Sequence, residues 1–161
     1  CRNTDKILKA MYVAAGIGQI IATRSSISGA AGGCQAEIGS ASSMAAGALT
    51  YLQGGNCKQI ATAAAMAMKN LLGLVCDPVA GLVEVPCVKR NVIGTVNAMA
   101  CADMAMAGIT SRIPPDQVMD AMKEVGDKMD ASLRETALGG LARTEEGVKI
   151  AEKMHASQEN W

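Results

Sequence analysis

The six cysteines are the residues of this sequence with the most specific chemistry, and three of them share a local context. Cys34 follows Gly32-Gly33, Cys76 precedes Asp77-Pro78 and Cys87 follows Pro86, and each lies where a predicted helix meets irregular backbone. The N–H groups and partial positive charge at a helix N-terminus stabilise a thiolate and favour an anionic cofactor. Three thiolate ligands from separate loops would leave one position on a bound metal open for a substrate.

Structural cysteines are the competing interpretation, and spacing alone favours it, because free cysteine often only fills space in a core. The sequence has no CxxC pair, and its one histidine, His155, is predicted to lie on the surface. Cys57 falls in the first turn of an ordinary predicted helix, Cys101 lies inside another, and Cys1 shows no site context. Three disulfides are disfavoured in a chain of this length without an export signal, so we expect free, buried or metal-bound thiols in a reducing cytoplasm.

Composition and charge exclude several classes of protein. The 161 residues carry a formal net charge of zero, which argues against a nucleic-acid footprint and a polybasic membrane patch. The longest apolar stretch, residues 98–109, is too short to span a bilayer and contains Asp103. The length predicts one domain, residues 1–161.

The side-chain composition predicts an all-α fold. Half of the residues are hydrophobic, yet there is no Phe, one Trp and two Tyr, while Ala, Gly and Met are abundant. Because Ala and Met favour helices and small side chains let helices approach closely, we expect a compact bundle of about five to seven helices. Its core would be rich in Ala, Gly and Met, and irregular loops would connect its helices.

Hydrophobic periodicity and turn residues place the helices along the chain. We predict helices over residues 4–23, 34–53, 57–72, 87–108 and 144–155, with Asn56 and Thr144 as N-caps, and a fifth helix that starts in IPPDQ, residues 113–117. Residues 25–34, 73–86 and 132–144 are predicted to be irregular. The predicted core faces are as follows: Ile7, Leu8, Met11, Ala15, Gly18, Ile21 and Ala22 in the first helix; Ile60, Ala64, Ala67 and Leu71 in the third; Val88, Val92, Val96 and Met99 in the fourth; Val118, Met122, Val125 and Met129 in the fifth.

Three blocks of the sequence carry a family resemblance: SISGAAGGCQAEIGSASSMAAGAL, MKNLLGLVCDPVAGLVEVPCVKRN and LRETALGGLA. They resemble the iron–sulfur-dependent bacterial L-serine dehydratases, most closely the α chain of the two-subunit type, over residues 25–142. The resemblance implies a [4Fe–4S] cluster held by Cys34, Cys76 and Cys87. It also implies conversion of L-serine to pyruvate and ammonia without pyridoxal phosphate, in which an open iron acts as a Lewis acid on the serine hydroxyl.

This chemistry needs a base for the α proton, and the residues identify it only weakly. Glu84 and Lys89 flank Cys87, and Asp77 and Glu37 are further candidates. An ordinary structural role is favoured for each, and for Asp77 that role is to cap the turn made with Pro78. A base outside this chain is an open alternative.

Four other polar residues are candidates for contacts with substrate or with the surroundings of the cluster. Asn91 lies one helical turn after Cys87 on the same face, and Arg90 precedes it. Gln35 is adjacent to Cys34 and is placed to donate to a cluster sulfur. Arg134 is a candidate for binding the substrate carboxylate, with a surface pairing to Glu135 or Asp130 as the alternative.

The resemblance also implies partners. The family's enzyme includes an α/β domain or β chain and a further α-chain segment, so we expect a cluster-binding fragment of an α chain that is oligomeric and inactive alone. No cysteine follows Cys101, so self-ligation by a C-terminal cysteine is not expected. Two alternatives stay open: a helical interaction module without a cofactor, and a zinc or thiol-redox protein, which the absence of CxxC and of a second histidine disfavours.

Overall fold

The computed structural model describes residues 3–158 and, within that range, confirms the all-α prediction. No β-strand occurs in this range, and extended pairing is confined to one bridge between Cys76 and Arg134. The described part of the chain forms seven α-helices, in this order: α1 (Thr4–Arg24), α2 (Gly29–Gly32), α3 (Ser40–Leu52), α4 (Cys57–Lys69), α5 (Cys87–Met106), α6 (Pro115–Lys128) and α7 (Glu145–Gln158). A π-helical turn, Gln35–Gly39, precedes α3, and 3₁₀ turns cover Val79–Gly81, Ala131–Leu133 and Gly140–Arg143.

Local sequence signals explain where several helices begin. Asn56 caps α4 as predicted, because its side chain accepts from Gln59 N and the Gln59 side chain accepts from Asn56 N, each at 3.0 Å. Thr144 Oγ1 accepts from Gly147 N at 3.2 Å at the start of α7. Pro115 occupies the first position of α6, where its missing N–H has no intrahelical partner to lose.

The core is built from small side chains, as the composition predicts. Helix α3 packs against α1, α4 and α5, and one buried cluster joins α3, α4 and α5. A Cβ added to Gly94 of α5 would lie 2.8 Å from Ile38 Cγ2, so the glycine permits that close approach. The members of the buried cluster are Ala46, Ala63, Met66, Ala67, Ala98, Cys101 and Ala105.

Buried polar side chains also join the helices. Ser42 Oγ donates to Gly94 O at 2.7 Å and accepts from Asn97 Nδ2 at 2.9 Å. The Asn97 amide also donates to Ala67 O at 2.9 Å, so one network connects α3, α4 and α5. Because each group has a partner, the network orients the helices without leaving an unsatisfied buried atom there.

The predicted core face of α5 is wrong. Val88, Val92, Val96 and Met99 are 55–59% exposed, and the buried residues of this helix are mostly small. Small residues face the core because α5 approaches α3 and α4 too closely for larger side chains. The buried positions are Cys87, Gly94, Ala98, Cys101, Ala102 and Ala105.

Helix α1 repeats this error in part, whereas α6 follows its prediction. Ile7, Leu8 and Met11 of α1 are exposed, and its buried residues are Ala10, Ala14 and Ile21. In α6 the predicted stripe does face the core: Val118 and Met122 are buried and Val125 and Met129 are half-buried.

Other differences concern element boundaries. Residues Gly29–Gly32 form one helical turn inside the segment predicted to be irregular, and the predicted helix from Cys34 begins with a π-helical turn. Helix α4 ends at Lys69, three residues early. Cys1 lies outside the described residues. Within residues 3–158, no helix is both long and apolar enough to cross a membrane.

Candidate functional site

Three thiols from separate parts of the chain meet in one buried cluster. Cys34 precedes the π-helical turn, Cys76 lies in the loop after α4, and Cys87 is the first residue of α5. Their exposed fractions are 0%, 2% and 7%, and they pack together with Ile38. The structure therefore brings together the three cysteines that the sequence singles out, while Cys57 is exposed and Cys101 belongs to a different core cluster.

A glycine and a glutamine fix the position of Cys34. Gly33 has φ +76°, and a Cβ there would lie 2.9 Å from Leu74 O, so only glycine fits without displacing backbone. Gln35 N donates to Leu74 O at 2.9 Å. The Gln35 side chain donates to Met122 O at 3.0 Å and accepts from Gly73 N at 2.9 Å. Gln35 therefore holds the Cys34 segment to the loop after α4, and its predicted donation to a cluster sulfur stays a prediction.

The segment 131–135 holds Cys76 by backbone pairing. Cys76 N donates to Leu133 O, and Glu135 N donates to Cys76 O, each at 2.8 Å. This pairing gives the LRETALGGLA block a structural role, because its backbone is hydrogen-bonded to the backbone of Cys76.

A buried ion pair connects the Cys76 loop to α5. Arg90 Nη1 donates to Asp77 Oδ1 at 2.7 Å and to Val75 O at 2.9 Å. The other oxygen of Asp77 accepts from Leu141 N at 2.8 Å. Asp77 therefore does not cap the Pro78 turn as predicted. Its carboxylate instead fixes Cys76 relative to α5, and both oxygens are occupied.

Two carboxylates lie close to the thiols around Gly29. A Cβ added to Gly29 would be 3.2 Å from Glu37 Oε2, 3.4 Å from Cys76 Sγ and 3.5 Å from Glu135 Oε2. Glu135 has φ +66°, an uncommon conformation for a residue with a side chain. Glu37 is among the predicted candidates, whereas the only role that the sequence predicts for Glu135 is a surface pairing with Arg134. Its place in the LRETALGGLA block is the one sequence signal that points to it.

The two leading base candidates lie apart from this group. Glu84 and Lys89 are exposed, and Glu84 lines a separate apolar cavity with Leu82 and Met154. His155 is exposed, as predicted, and lines a third cavity with Arg143. None of these three side chains is among the groups that shift the pKa of Cys76 or Cys87.

Asn91 and Arg134 border the site in different ways. Asn91 is exposed, donates to Cys87 O at 3.0 Å, and lines a cavity of about 190 Å³ together with Ser42 and Thr95. Arg134 Nη1 makes a long contact of 3.4 Å to Ala31 O. Its Nε is buried and has no hydrogen-bond partner among the described residues. Because the backbones of Arg134 and Cys76 pair in a β-bridge, this unused donor belongs to the residue that lies opposite Cys76.

Burial and negative neighbours raise the pKa values of two of the thiols, Cys76 and Cys87. Burial raises the pKa of Cys76, and the neighbouring Cys34, Cys87 and Glu135 raise it further. The pKa of Cys87 is raised by burial, then by Cys34 and Glu37, and Arg90 offsets part of this shift. A bound cation would reverse these shifts, because it stabilises thiolates.

The donor set is chemically compatible with an iron–sulfur cluster. Soft thiols from three elements converge in a buried site, and Gly29 leaves space beside one of them. Among residues 3–158, no three Cys, His, Asp or Glu side chains are arranged around a position for a single metal ion. The thiolates that hold a cluster do not share one metal ion, because each thiolate binds a different iron.

Comparisons with known proteins address the family directly. The family model described as serine dehydratase alpha chain matches residues 1–142. A probable L-serine dehydratase alpha chain of Bacillus subtilis is 57% identical over 150 residues, which are 93% of this chain and 50% of the relative. A protein of the same description from Latilactobacillus sakei is 56% identical, over 92% of this chain and 71% of the relative.

An L-serine dehydratase alpha chain of Peptoniphilus asaccharolyticus is 54% identical, over 84% of this chain and 46% of the relative. The chain thus spans about half the length of two of these relatives. The matched region contains all three thiols of the cluster and the segment that pairs with Cys76. The chain belongs to the serine dehydratase alpha-chain family.

Proposed function

We propose that this chain forms the cluster-binding part of an L-serine dehydratase, which converts L-serine to pyruvate and ammonia. The observation that carries the proposal is the convergence of Cys34, Cys76 and Cys87 in one buried cluster in a member of this family. Because the chain covers only part of its relatives, we expect activity only together with the remaining α-chain segment and the β chain or α/β domain.

The cofactor of this proposal is a [4Fe–4S] cluster held by the three thiols, with no role for pyridoxal phosphate. When bound, the cluster supplies an iron without a protein ligand, which is a Lewis acid for the serine hydroxyl. The rest of the chemistry falls to protein side chains: they must bind the carboxylate, hold the thiols in place and accept the α proton.

Arg134 is the side chain that we assign to the substrate carboxylate. Its buried Nε has no partner, and its one described side-chain hydrogen bond, to Ala31 O, is long. A carboxylate would satisfy this donor with a charge-assisted bond, for which the planar guanidinium is suited. Arg90 is less suited, because Asp77 and Val75 already occupy it.

We assign the role of the base that accepts the α proton to one of the two carboxylates beside Gly29. Glu37 or Glu135 would accept the proton from Cα and return it to the hydroxide that leaves Cβ, so that water departs and the carboxylate is regenerated. The resulting aminoacrylate would tautomerise and hydrolyse to pyruvate and ammonia, so the overall reaction needs no oxidant. Glu84 and Lys89 do not share this position, since both lie on the surface away from the thiols.

Anaerobic reconstitution with iron and sulfide tests the cofactor. We expect about four irons and four sulfides per chain, as a cubane cluster requires. Cys34→Ser, Cys76→Ser and Cys87→Ser should each reduce the iron content sharply. Cys57→Ser is the matched control, because that thiol is exposed and distant from the others. Stoichiometric zinc, or iron content that is unaffected by all three substitutions, would contradict the proposal.

Glutamine substitutions test the base in the assembled enzyme. Removing a general base should lower kcat by about 10²–10⁴-fold while leaving the iron content unchanged. We expect this effect for Glu37→Gln or Glu135→Gln, and no such effect for Glu84→Gln or Lys89→Met. Arg134→Lys should instead act mainly on KM. If both Glu37→Gln and Glu135→Gln keep full kcat, the base is elsewhere.

A further inference from the structure

The long apolar side chains of α5 point away from the bundle. Val88, Val92, Val96 and Met99 are exposed by 55%, 59%, 57% and 55%, and their spacing of four, four and three residues places them on one side of the helix. We call these four residues the α5 stripe. Four large apolar side chains in one row are unusual on a free surface, where single ones are common.

The stripe continues into the loop before α5, which also exposes apolar side chains. Leu82, Val83 and Val85 are exposed by 40%, 59% and 39%. Arg90 points inward to Asp77, so Lys89 is the charged residue that interrupts the helical part of this surface. Together these residues offer on the order of 500 Å² of apolar surface, the upper range for a soluble monomer.

We propose that the α5 stripe is covered by the part of the native alpha chain that lies outside these 161 residues. The relatives from Bacillus subtilis and Peptoniphilus asaccharolyticus are about twice as long as the region they share with this chain. A surface this apolar and this poor in charge is typical of permanent contacts. A second copy fits less well, because a stable interface needs about 800 Å² from each partner, more than the stripe offers.

The covering segment would also lie beside the thiol site. Val88 follows Cys87 directly, and the cavity lined by Asn91 and Thr95 opens on the neighbouring flank of the same helix. The segment would therefore exclude water from one side of the site as well as bury the stripe. This proposal rests on family membership and on exposed surface, and it holds or fails independently of the cofactor and of catalysis.

Oxidation of Met99 by dilute peroxide is a direct measure of its cover. Met99 is exposed in this chain, and Met122, which is 1% exposed, is the internal control for a protected methionine. In the 161-residue chain we expect Met99 to oxidise at about the rate seen in urea. In the native alpha chain, prepared without its β chain, we expect oxidation at least about tenfold slower, because the stripe is covered.

A charged variant provides a second measurement. Val92→Asp with Val96→Asp should shift the melting temperature of the 161-residue chain by no more than about 2 °C, because these positions are exposed there. In the native alpha chain the same variant should restore fast oxidation of Met99. Ile109→Asp with Ile113→Asp removes similar exposed apolar area elsewhere and should leave Met99 protected.

Four results would overturn the proposal. Met99 could oxidise equally fast in both chains, or it could become protected only when the β chain is added. Protection in the 161-residue chain that increases with concentration, together with dimers in sedimentation, would identify a second copy as the occupant. A native alpha chain no longer than these residues would leave no segment to cover the stripe.

Discussion

Replacing Asp77 with asparagine removes one charge from the ion pair that fixes the Cys76 loop to α5. The substitution keeps the shape of the side chain and an acceptor for Leu141 N. It leaves Arg90 with Val75 O as its remaining carbonyl partner. The side chains are 4% and 19% exposed, so Asp77 is fully inside and Arg90 retains slight contact with water.

The size of the effect follows from these two exposures. Removing one partner of a fully buried ion pair costs about 3–5 kcal/mol, because the other charge is left uncompensated. Water still reaches part of Arg90, so we expect Asp77→Asn to lower the free energy of unfolding by about 2–3 kcal/mol. The matched control is Asp120→Asn, whose partner Arg24 is 38% exposed; breaking this surface pair should cost about 0.2–1 kcal/mol.

Urea unfolding of the reduced, metal-free chain at pH 7 measures both variants, provided that the slope with urea is unchanged. Adding Arg90→Met completes a double-mutant cycle, in which we expect a coupling energy of about 2 kcal/mol between the two side chains. If Asp77→Asn costs no more than Asp120→Asn, the pair does not hold the loop, and the account of how Cys76 is positioned fails.

Three further predictions concern the backbone and the thiols. Gly33→Ala should lower the free energy of unfolding by about 2–4 kcal/mol, and Gly73→Ala by only about 1–2 kcal/mol. Both glycines have a positive φ, but only Gly33 lacks space for a Cβ. Equal losses in urea unfolding would contradict this. Ala80→Gly should raise the free energy of unfolding by about 1 kcal/mol, because glycine adopts the φ of +54° at this position without the strain that alanine has there. An unchanged free energy of unfolding would show that Ala80 is not strained. At pH 8, iodoacetamide should label the exposed Cys57 at least about tenfold faster than Cys76, because burial raises the pKa of Cys76 and lowers its thiolate fraction. Peptide mass spectrometry measures both labelling rates, and similar rates would refute this.

The sequence identifies most helices of this fold correctly but misassigns the buried face of α5 and part of that of α1. Helix starts depend on local chemistry such as the Asn56 cap, which a sequence displays directly. The face of α5 depends on which neighbours approach it, and here close packing selects small residues. The helical periodicity of large apolar residues predicts that Val92 and Val96 face the core, but both are exposed. The rule works in α6 because larger residues such as Met122 fill the space there.

The three thiols could be predicted because each has a conspicuous neighbour. Glycine beside Cys34, proline beside Cys87 and proline two residues after Cys76 restrict the backbone near each thiol, so the signal is local. Glu135 gives no such signal. Its carboxylate approaches Cys76 through the pairing of two segments that are nearly 60 residues apart, and only the folded chain shows that pairing.

Helix α5 connects the site to the exposed surface, because its two faces have opposite requirements. The inner face needs small residues so that α3 and α4 can approach, and Cys87 at its first turn joins the other thiols. Large apolar residues are excluded from that face, yet five of them are exposed, the four of the α5 stripe and Ile93. A free surface gives no reason to keep such side chains, whereas a covering segment does. Any segment that covers α5 also fixes the helix that carries Cys87, so the stability of this surface and the geometry of the thiol site are expected to change together.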